Sequence, residues 1–283
     1  MYVKTSDGLQ VYYEMSGNGD PCLYLHGGPG YWSKPFQLFA HGLLEKDLQM
    51  IYLDQRGCGR SEHCLSQDYS LNRLIMDLEE LRISLGINKW YIMGHSFGGI
   101  LAVNYAARFP EHTIGLILVN VTLNMYESFE YQINRGLEIL QEQRNIYPSD
   151  PQEDYIELFY SILFKLIENG SYDHFQYTDI DKKKEVDRID KELRTDPYFQ
   201  KKVFSLKEYF HDFTELMKEI KKPTLIIAGT SDYAVGPNHH LTFPCKDAVV
   251  HYINGGHHPY IENQDAFKEA VLSFVNDNKT VYN

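Results

Sequence analysis

Three side chains in this sequence have the types and order of a nucleophilic relay. Gly94-His95-Ser96-Phe97-Gly98 is a G-x-S-x-G pattern set between an apolar strand-like run and a helical one. A serine in such a strand–turn–helix bend is lifted above the sheet. It also sits at a helix N-terminus, where the dipole favours developing negative charge. A hydroxyl is a weak nucleophile without a base, so an acid and a histidine are expected further along the chain. Asp232, in Ala228-Gly229-Thr230-Ser231-Asp232, follows one apolar run. His257, in Asn254-Gly255-Gly256-His257-His258, follows the next. The expected triad is therefore Ser96, Asp232 and His257. His258 competes for the base, and its neighbour is preferred because it directly follows the glycines. Asp247 is the weaker rival for the acid because it precedes its strand.

A tetrahedral intermediate also needs two N–H donors on its oxyanion. Phe97, immediately after the serine, should supply one. Gly28 in His26-Gly27-Gly28-Pro29-Gly30 should supply the other, with Gly27 the alternative. His95 is expected to pack in the bend rather than titrate in catalysis, and His239-His240 to lie in a surface loop. No metal or cofactor is expected, since the cysteines Cys22, Cys58, Cys64 and Cys245 form no C-x-x-C pair. Cys58 and Cys64 could bridge two loop segments, but free thiols are expected.

The elements that must position these residues follow from hydrophobic periodicity. Leu9, Val11, Tyr13 and Met15 alternate with polar neighbours, so residues 2–15 read as an antiparallel hairpin at a sheet edge. Cys22–Leu25, Met50–Leu53, Trp90–Met93, Ile114–Val119, Thr224–Ala228 and Val249–Ile253 are short apolar runs, the mark of parallel strands covered on both faces. Between them, residues 70–85 carry an apolar stripe with Ser70 as N-cap and Gly86 past the end. Residues 97–109 and 264–276 also read as helices. The alternation predicts an α/β fold with a mostly parallel sheet. It breaks between Asn124 and Lys218, so residues 124–218 are expected to form a helical cap over the sheet edge where ligands bind, with 1–123 and 219–283 as the core. Lys182-Lys183-Lys184 reads as a solvated helix face.

The 283 residues carry 27 basic and 39 acidic side chains, a net charge of −12. This balance argues against nucleic acid or an anionic membrane as partner. The N-terminus lacks the apolar core of a signal peptide, and a cytoplasmic enzyme of small molecules or short peptides is expected.

His26-Gly27-Gly28-Pro29-Gly30, the Asp54-Gln55-Arg56-Gly57-Cys58-Gly59-Arg60-Ser61 loop and the Ser96 bend together resemble the proline iminopeptidases and their relatives among the α/β-hydrolases. The resemblance implies the α/β-hydrolase fold, the same triad, a structural role for the Asp54–Ser61 loop, and a recurring family position at Glu262. It implies an aminopeptidase releasing N-terminal residues. Three departures bear on that activity: His95 stands where a glycine is usual, Phe97 where Trp or Tyr is frequent, and Tyr233 where some members hold the substrate's amine with a glutamate. We assign Tyr233 to substrate binding, and expect any amine anchor to be one of the many cap glutamates, Glu127, Glu130, Glu157 and Glu208 among them. A carboxylesterase on neutral esters is the alternative within the class. Outside it, a hydrolase fold that binds ligand without turnover is the alternative.

Overall fold

A computed structural model describes residues 1–144 and 151–281. Eight strands form one sheet: β1 (Tyr2–Lys4), β2 (Gln10–Ser16), β3 (Asp20–Leu25), β4 (Leu48–Leu53), β5 (Trp90–His95), β6 (Thr113–Val119), β7 (Thr224–Gly229) and β8 (Val249–Ile253). The helices are α1 (Lys34–Ala40), α2 (Leu71–Ser84), α3 (Gly98–Arg108), α4 (Met125–Leu140), α5 (Pro151–Glu168), α6 (Ile180–Asp190), α7 (Phe199–Ser205), α8 (Pro259–Glu262) and α9 (Gln264–Val281). The sheet order is β1-β2-β4-β3-β5-β6-β7-β8.

The expected hairpin is present, with Val3 opposite Val11, and β2 pairs antiparallel with β4. The other neighbours run parallel, which directs the carboxyl ends of β3 to β8 to one edge. Leu23, Ile92 and Leu116 face one layer, packed with α2 and α3. Tyr24, Met93 and Ile117 face the other, packed with α1 and α9. This double burial explains the unbroken apolar runs. β8 departs from it: Val249, Val250 and Tyr252 are exposed because nothing follows β8 in the sheet.

Local signals place the helix ends. The Ser70 side chain accepts the Arg73 N–H at the start of α2, and Gly86 closes the helix at φ +64°. α9 runs five residues beyond the expected Asn276. Helices α4 to α7 lie between β6 and β7, where the cap is expected; residues 145–150 of that span lie outside the described residues. The four cysteines are free thiols. Among the described residues no helix is long and apolar enough to cross a membrane. Nor does any group of three or more His, Cys, Asp or Glu among them come together as a metal site.

Candidate active site

The bend after β5 shows why its residues are small. Ser96 adopts φ +54°, a left-handed conformation costly for a residue with a Cβ. A Cβ on Gly98 would collide with the Leu25 carbonyl oxygen, and one on Gly94 would lie 2.7 Å from the Gly98 carbonyl oxygen. The strained serine is held by its own backbone: its N–H donates to Val119 O and its carbonyl accepts from Gly99 and Thr122. Phe97 caps α3, so its N–H precedes the first helical turn. Across the bend, Gly28 holds φ +116° in the loop after β3.

The loops that carry Asp232 and His257 meet beside this bend. Asp232 is buried at the end of β7, and its Oδ1 accepts the N–H groups of Ala234 (2.9 Å) and Val235 (3.2 Å). Its Oδ2 lies 3.0 Å from Nδ1 of His257. With Nδ1–H donating to Asp232, the other ring nitrogen of His257 is a lone-pair acceptor. His257 and Ser96 line one cleft of about 360 Å³, together with Gly28 and Phe97. Of the rivals, Asp247 is exposed and lies away from this cleft. His258 borders the cleft, but its ring is tied to Tyr260 (2.9 Å) and Gln176 (3.1 Å).

His95 packs in the bend as expected. Its Nε2–H donates to the His257 carbonyl (2.9 Å), while Nδ1 is buried with no partner. Burial drives His95 and His258 well below the ordinary imidazole value and lowers His26 to about 4. His26 is gripped from below: the Gln55 N–H donates to its Nε2 (3.0 Å) and the Gln55 amide to its carbonyl (2.9 Å). The Asp54–Ser61 loop that supplies Gln55 is itself pinned. Buried Asp54 accepts from Ser33 and Arg60, and fully buried Arg56 pairs with Asp77 at 2.6 and 2.8 Å.

Three expectations are corrected. His239 and His240 are buried rather than in a surface loop, because a short helical turn packs them against the end of β6 and against Tyr252. The Leu123 N–H donates to His239 Nε2 (3.3 Å), and His240 lies 3.0 Å from the Tyr252 hydroxyl. Tyr233 is not on the cleft wall: its ring lies under the Arg135 guanidinium at 4.8 Å, and Ala234 and Val235 face the cleft instead. None of the four cap glutamates named above lines the cleft. Glu127 lies beside His239 (3.3 Å), Glu130 pairs with Arg144 (2.5 Å), Glu208 accepts the Leu71 N–H (2.9 Å), and Glu157 is exposed.

Among the described residues the cleft wall carries one carboxylate, Asp190, at the end of α6. It accepts from the Tyr31 hydroxyl (2.8 Å) and the Trp32 indole (2.9 Å), both just after the glycine loop. Burial raises its carboxyl above the ordinary aspartate value, against those bonds. Lys183 and Val186, on the same helix face, also reach the cleft. The Lys182–Lys184 run is thus not wholly solvent-facing; Lys183 pairs with Asp173 and Asp187. Aromatic rings of the cap (Phe129, Phe159, Tyr160 and Phe204) supply much of the remaining wall, whereas Tyr209 and Phe210 belong to the interior.

Asn120 is a residue the motifs do not reveal. Left-handed at φ 44° after β6, it accepts the Gly229 N–H (2.7 Å) and donates to the carbonyls of Gly256 and His257 (3.0 Å each). It ties the loop before Asp232 to the loop that carries His257. Its only trace in the sequence is an asparagine following an apolar strand.

A family model described as alpha/beta hydrolase fold matches residues 20–264. The chain is similar to the proline iminopeptidase of Neisseria gonorrhoeae, 39% identical over 126 residues. That alignment covers 43% of this chain and 40% of the relative, so the chain spans under half of that protein's length. The proline iminopeptidase of Heyndrickxia coagulans is 26% identical over 93% of each chain. Among solved structures, a proline iminopeptidase-related protein from Thermus thermophilus superposes with a TM-score of 0.83 at 20% identity, covering 98% of this chain and 96% of that one. The enol-lactonase from Burkholderia xenovorans does so at 0.71 and 19%, covering 98% and 100%. At these identities the structural likeness is one of fold.

Proposed function

Because this chain belongs to the alpha/beta hydrolase fold family, we propose that it is a serine hydrolase of small substrates working through an acyl-enzyme. Ser96 is the nucleophile, His257 the base and Asp232 the acid. The 3.0 Å contact between His257 Nδ1 and Asp232 Oδ2, on a cleft shared with a strained serine, carries this reading. In the reaction, Ser96 Oγ attacks the substrate carbonyl and its proton passes to Nε2 of His257. Asp232 holds the tautomer that makes Nε2 the acceptor. The N–H groups of Phe97 and Gly28 stabilise the oxyanion. His257 then protonates the leaving group, and water releases the acyl group by the same steps in reverse roles. Residues 124–218 act as a cap that admits only small molecules or short peptides.

Within this class we favour an aminopeptidase similar to the proline iminopeptidases. Burying an ammonium unpaired costs several kcal/mol, so an aminopeptidase needs a carboxylate on the cleft wall, and Asp190 supplies one. The second reading is a carboxylesterase of neutral esters. It is favoured by the aromatic wall and by the engagement of Asp190 with Tyr31 and Trp32. Turnover of L-proline p-nitroanilide, its N-acetyl derivative and p-nitrophenyl butyrate separates the two. The aminopeptidase reading expects acetylation to reduce kcat/KM by on the order of 10²-fold. Equal rates on free and acetylated substrates, with the ester preferred, would favour the esterase.

A further inference from the structure

Residues 175–179 of the cap run along the two loops that carry Asp232 and His257, and their backbone is bonded to both. The Tyr233 N–H, next to the acid, donates to the Phe175 carbonyl (3.1 Å). The His257 N–H itself donates to the Gln176 carbonyl (2.7 Å). Tyr177 stacks on His258 at 4.7 Å, and Gly256 approaches so closely that a Cβ there would run into the Gln176 carbonyl.

One carboxylate fastens this segment in place. Glu262, in the last turn of α8, accepts three donors from the cap on Oε1: the Thr178 N–H (2.6 Å), the Thr178 hydroxyl (2.7 Å) and the Asp179 N–H (2.8 Å). Its Oε2 accepts the Gly256 N–H (2.6 Å). The residue immediately before His257 and the entrance of α6 therefore share one anion. Four donors match the four lone-pair sites of one carboxylate in number, with three of them gathered on Oε1. Bonds to an ionised acceptor are about twice as strong as neutral ones.

We propose that residues 175–179 are a strap through which the cap sets the position of His257, and that Glu262 is the positioning residue that holds the strap to the base. The inference rests on His257 being the base. The Gly256 N–H is fixed by Glu262 and the His257 N–H by the Gln176 carbonyl of the strap that Glu262 holds, so the backbone that aims the imidazole is fixed with them. Releasing Glu262 lets the ring spend less time in line with Ser96. That lowers the rate of the covalent step, since misplacement of a reacting group by about 1 Å costs on the order of 10² in rate. It does not remove a contact to substrate, so KM is spared.

The test compares wild type with Glu262→Ala, Glu262→Gln and Thr178→Val. Each is assayed for its second-order rate of labelling by a fluorophosphonate, for kcat and KM on p-nitrophenyl butyrate, and for the folded fraction. Per folded molecule, Glu262→Ala should label about tenfold or more slowly, with kcat reduced in parallel and KM within about threefold. Glu262→Gln keeps one acceptor oxygen and should fall between the two. Thr178→Val removes one donor from the strap and should slow labelling by about two- to fivefold. If Glu262→Ala does not fold, the Gln and Val variants decide the matter. Wild-type labelling rates in the folded variants would overturn the strap, as would a loss confined to KM. A wild type that does not label at all would instead refute the serine hydrolase reading itself.

Discussion

The floor of the cleft is made by loops at the ends of parallel strands, and its roof by helices α4 to α7. In the floor, polar atoms are met at short range by backbone. Asp232 accepts two N–H groups, Asn120 bridges two loops, and His26 is held by Gln55. In the roof the packing is aromatic, and its one cleft carboxylate among the described residues, Asp190, is held by the side chains of Tyr31 and Trp32. A backbone-held site can keep a strained serine at φ +54° in register with its partners. Outside residues 175–179, which bond to the backbone of Tyr233 and His257, the helices of the roof can change their lining without disturbing that register. On the proposed function, reaction type belongs to the floor and substrate choice to the helices of the roof, with the 175–179 strap the exception, and substitutions should divide along the same line.

The largest effect is expected in the floor. Ser96→Ala should lower kcat by on the order of 10⁴-fold or more, and Asp232→Asn by about 10⁴-fold, on amide and ester substrates alike. Steady-state rates on both substrates, with thermal melts to show the fold retained, check this. A variant that loses one substrate and keeps the other would break the division between floor and roof.

Next comes the support beneath the floor. Asp77→Ala removes the two shortest bonds of the fully buried Arg56 guanidinium and leaves the partly exposed Asp7 as its remaining carboxylate. It should destabilise the protein by about 3–5 kcal/mol, while kcat per folded molecule stays near wild type. Urea unfolding with activity measured in the native baseline tests both halves.

Asp190→Asn probes the roof. It should reduce kcat/KM for a free-amine substrate by on the order of 10²-fold. Hydrolysis of p-nitrophenyl butyrate should stay within about threefold. Equal losses on both substrates would place Asp190 in support of the floor rather than in recognition.

The smallest effect concerns acid. Burial keeps His26 neutral in the folded chain, with its value lowered from 6.5 to about 4, and His95 and His258 are held well below 6.5 by the same cause. Below 6.5 the unfolded chain binds protons that these rings refuse, so stability is complete above that pH and falls as pH drops toward 4. The loss over the first unit below 6.5 should be about 1 kcal/mol per imidazole. Urea midpoints at pH 7 and 5.5 measure it, and an unchanged midpoint would contradict the assignment of these rings as buried and neutral.

The same line separates what could be read in the sequence from what could not. The parallel strands were legible because burial on both faces leaves continuous apolar runs. The residues at their carboxyl ends followed from local rules: the glycines around Ser96, and an aspartate and a histidine each after a strand. The roof gave no such signal. Asp190 lies in an ordinary charged helix, Ile180 to Asp190, and only the packing of that helix against Tyr31 and Trp32 turns it toward the cleft. Tyr233 failed as a wall residue for the converse reason, since sequence adjacency to Asp232 does not set the direction of its ring. His239 and His240 were misplaced because a short polar stretch reads as loop even when it folds back onto β6. Asn120 and Glu262 act through bonds to backbone of distant segments, which periodicity does not report.

As the proposed nucleophile, Ser96 carries a hydroxyl activated by His257. Intact mass and peptide mapping after brief exposure to a fluorophosphonate test this activation most directly. A single adduct on Ser96 is expected, formed quickly in the wild type and slowed by on the order of 10³-fold or more in His257→Ala. No adduct, an adduct on another residue, or labelling of Ser96 at an equal rate without His257 would contradict it.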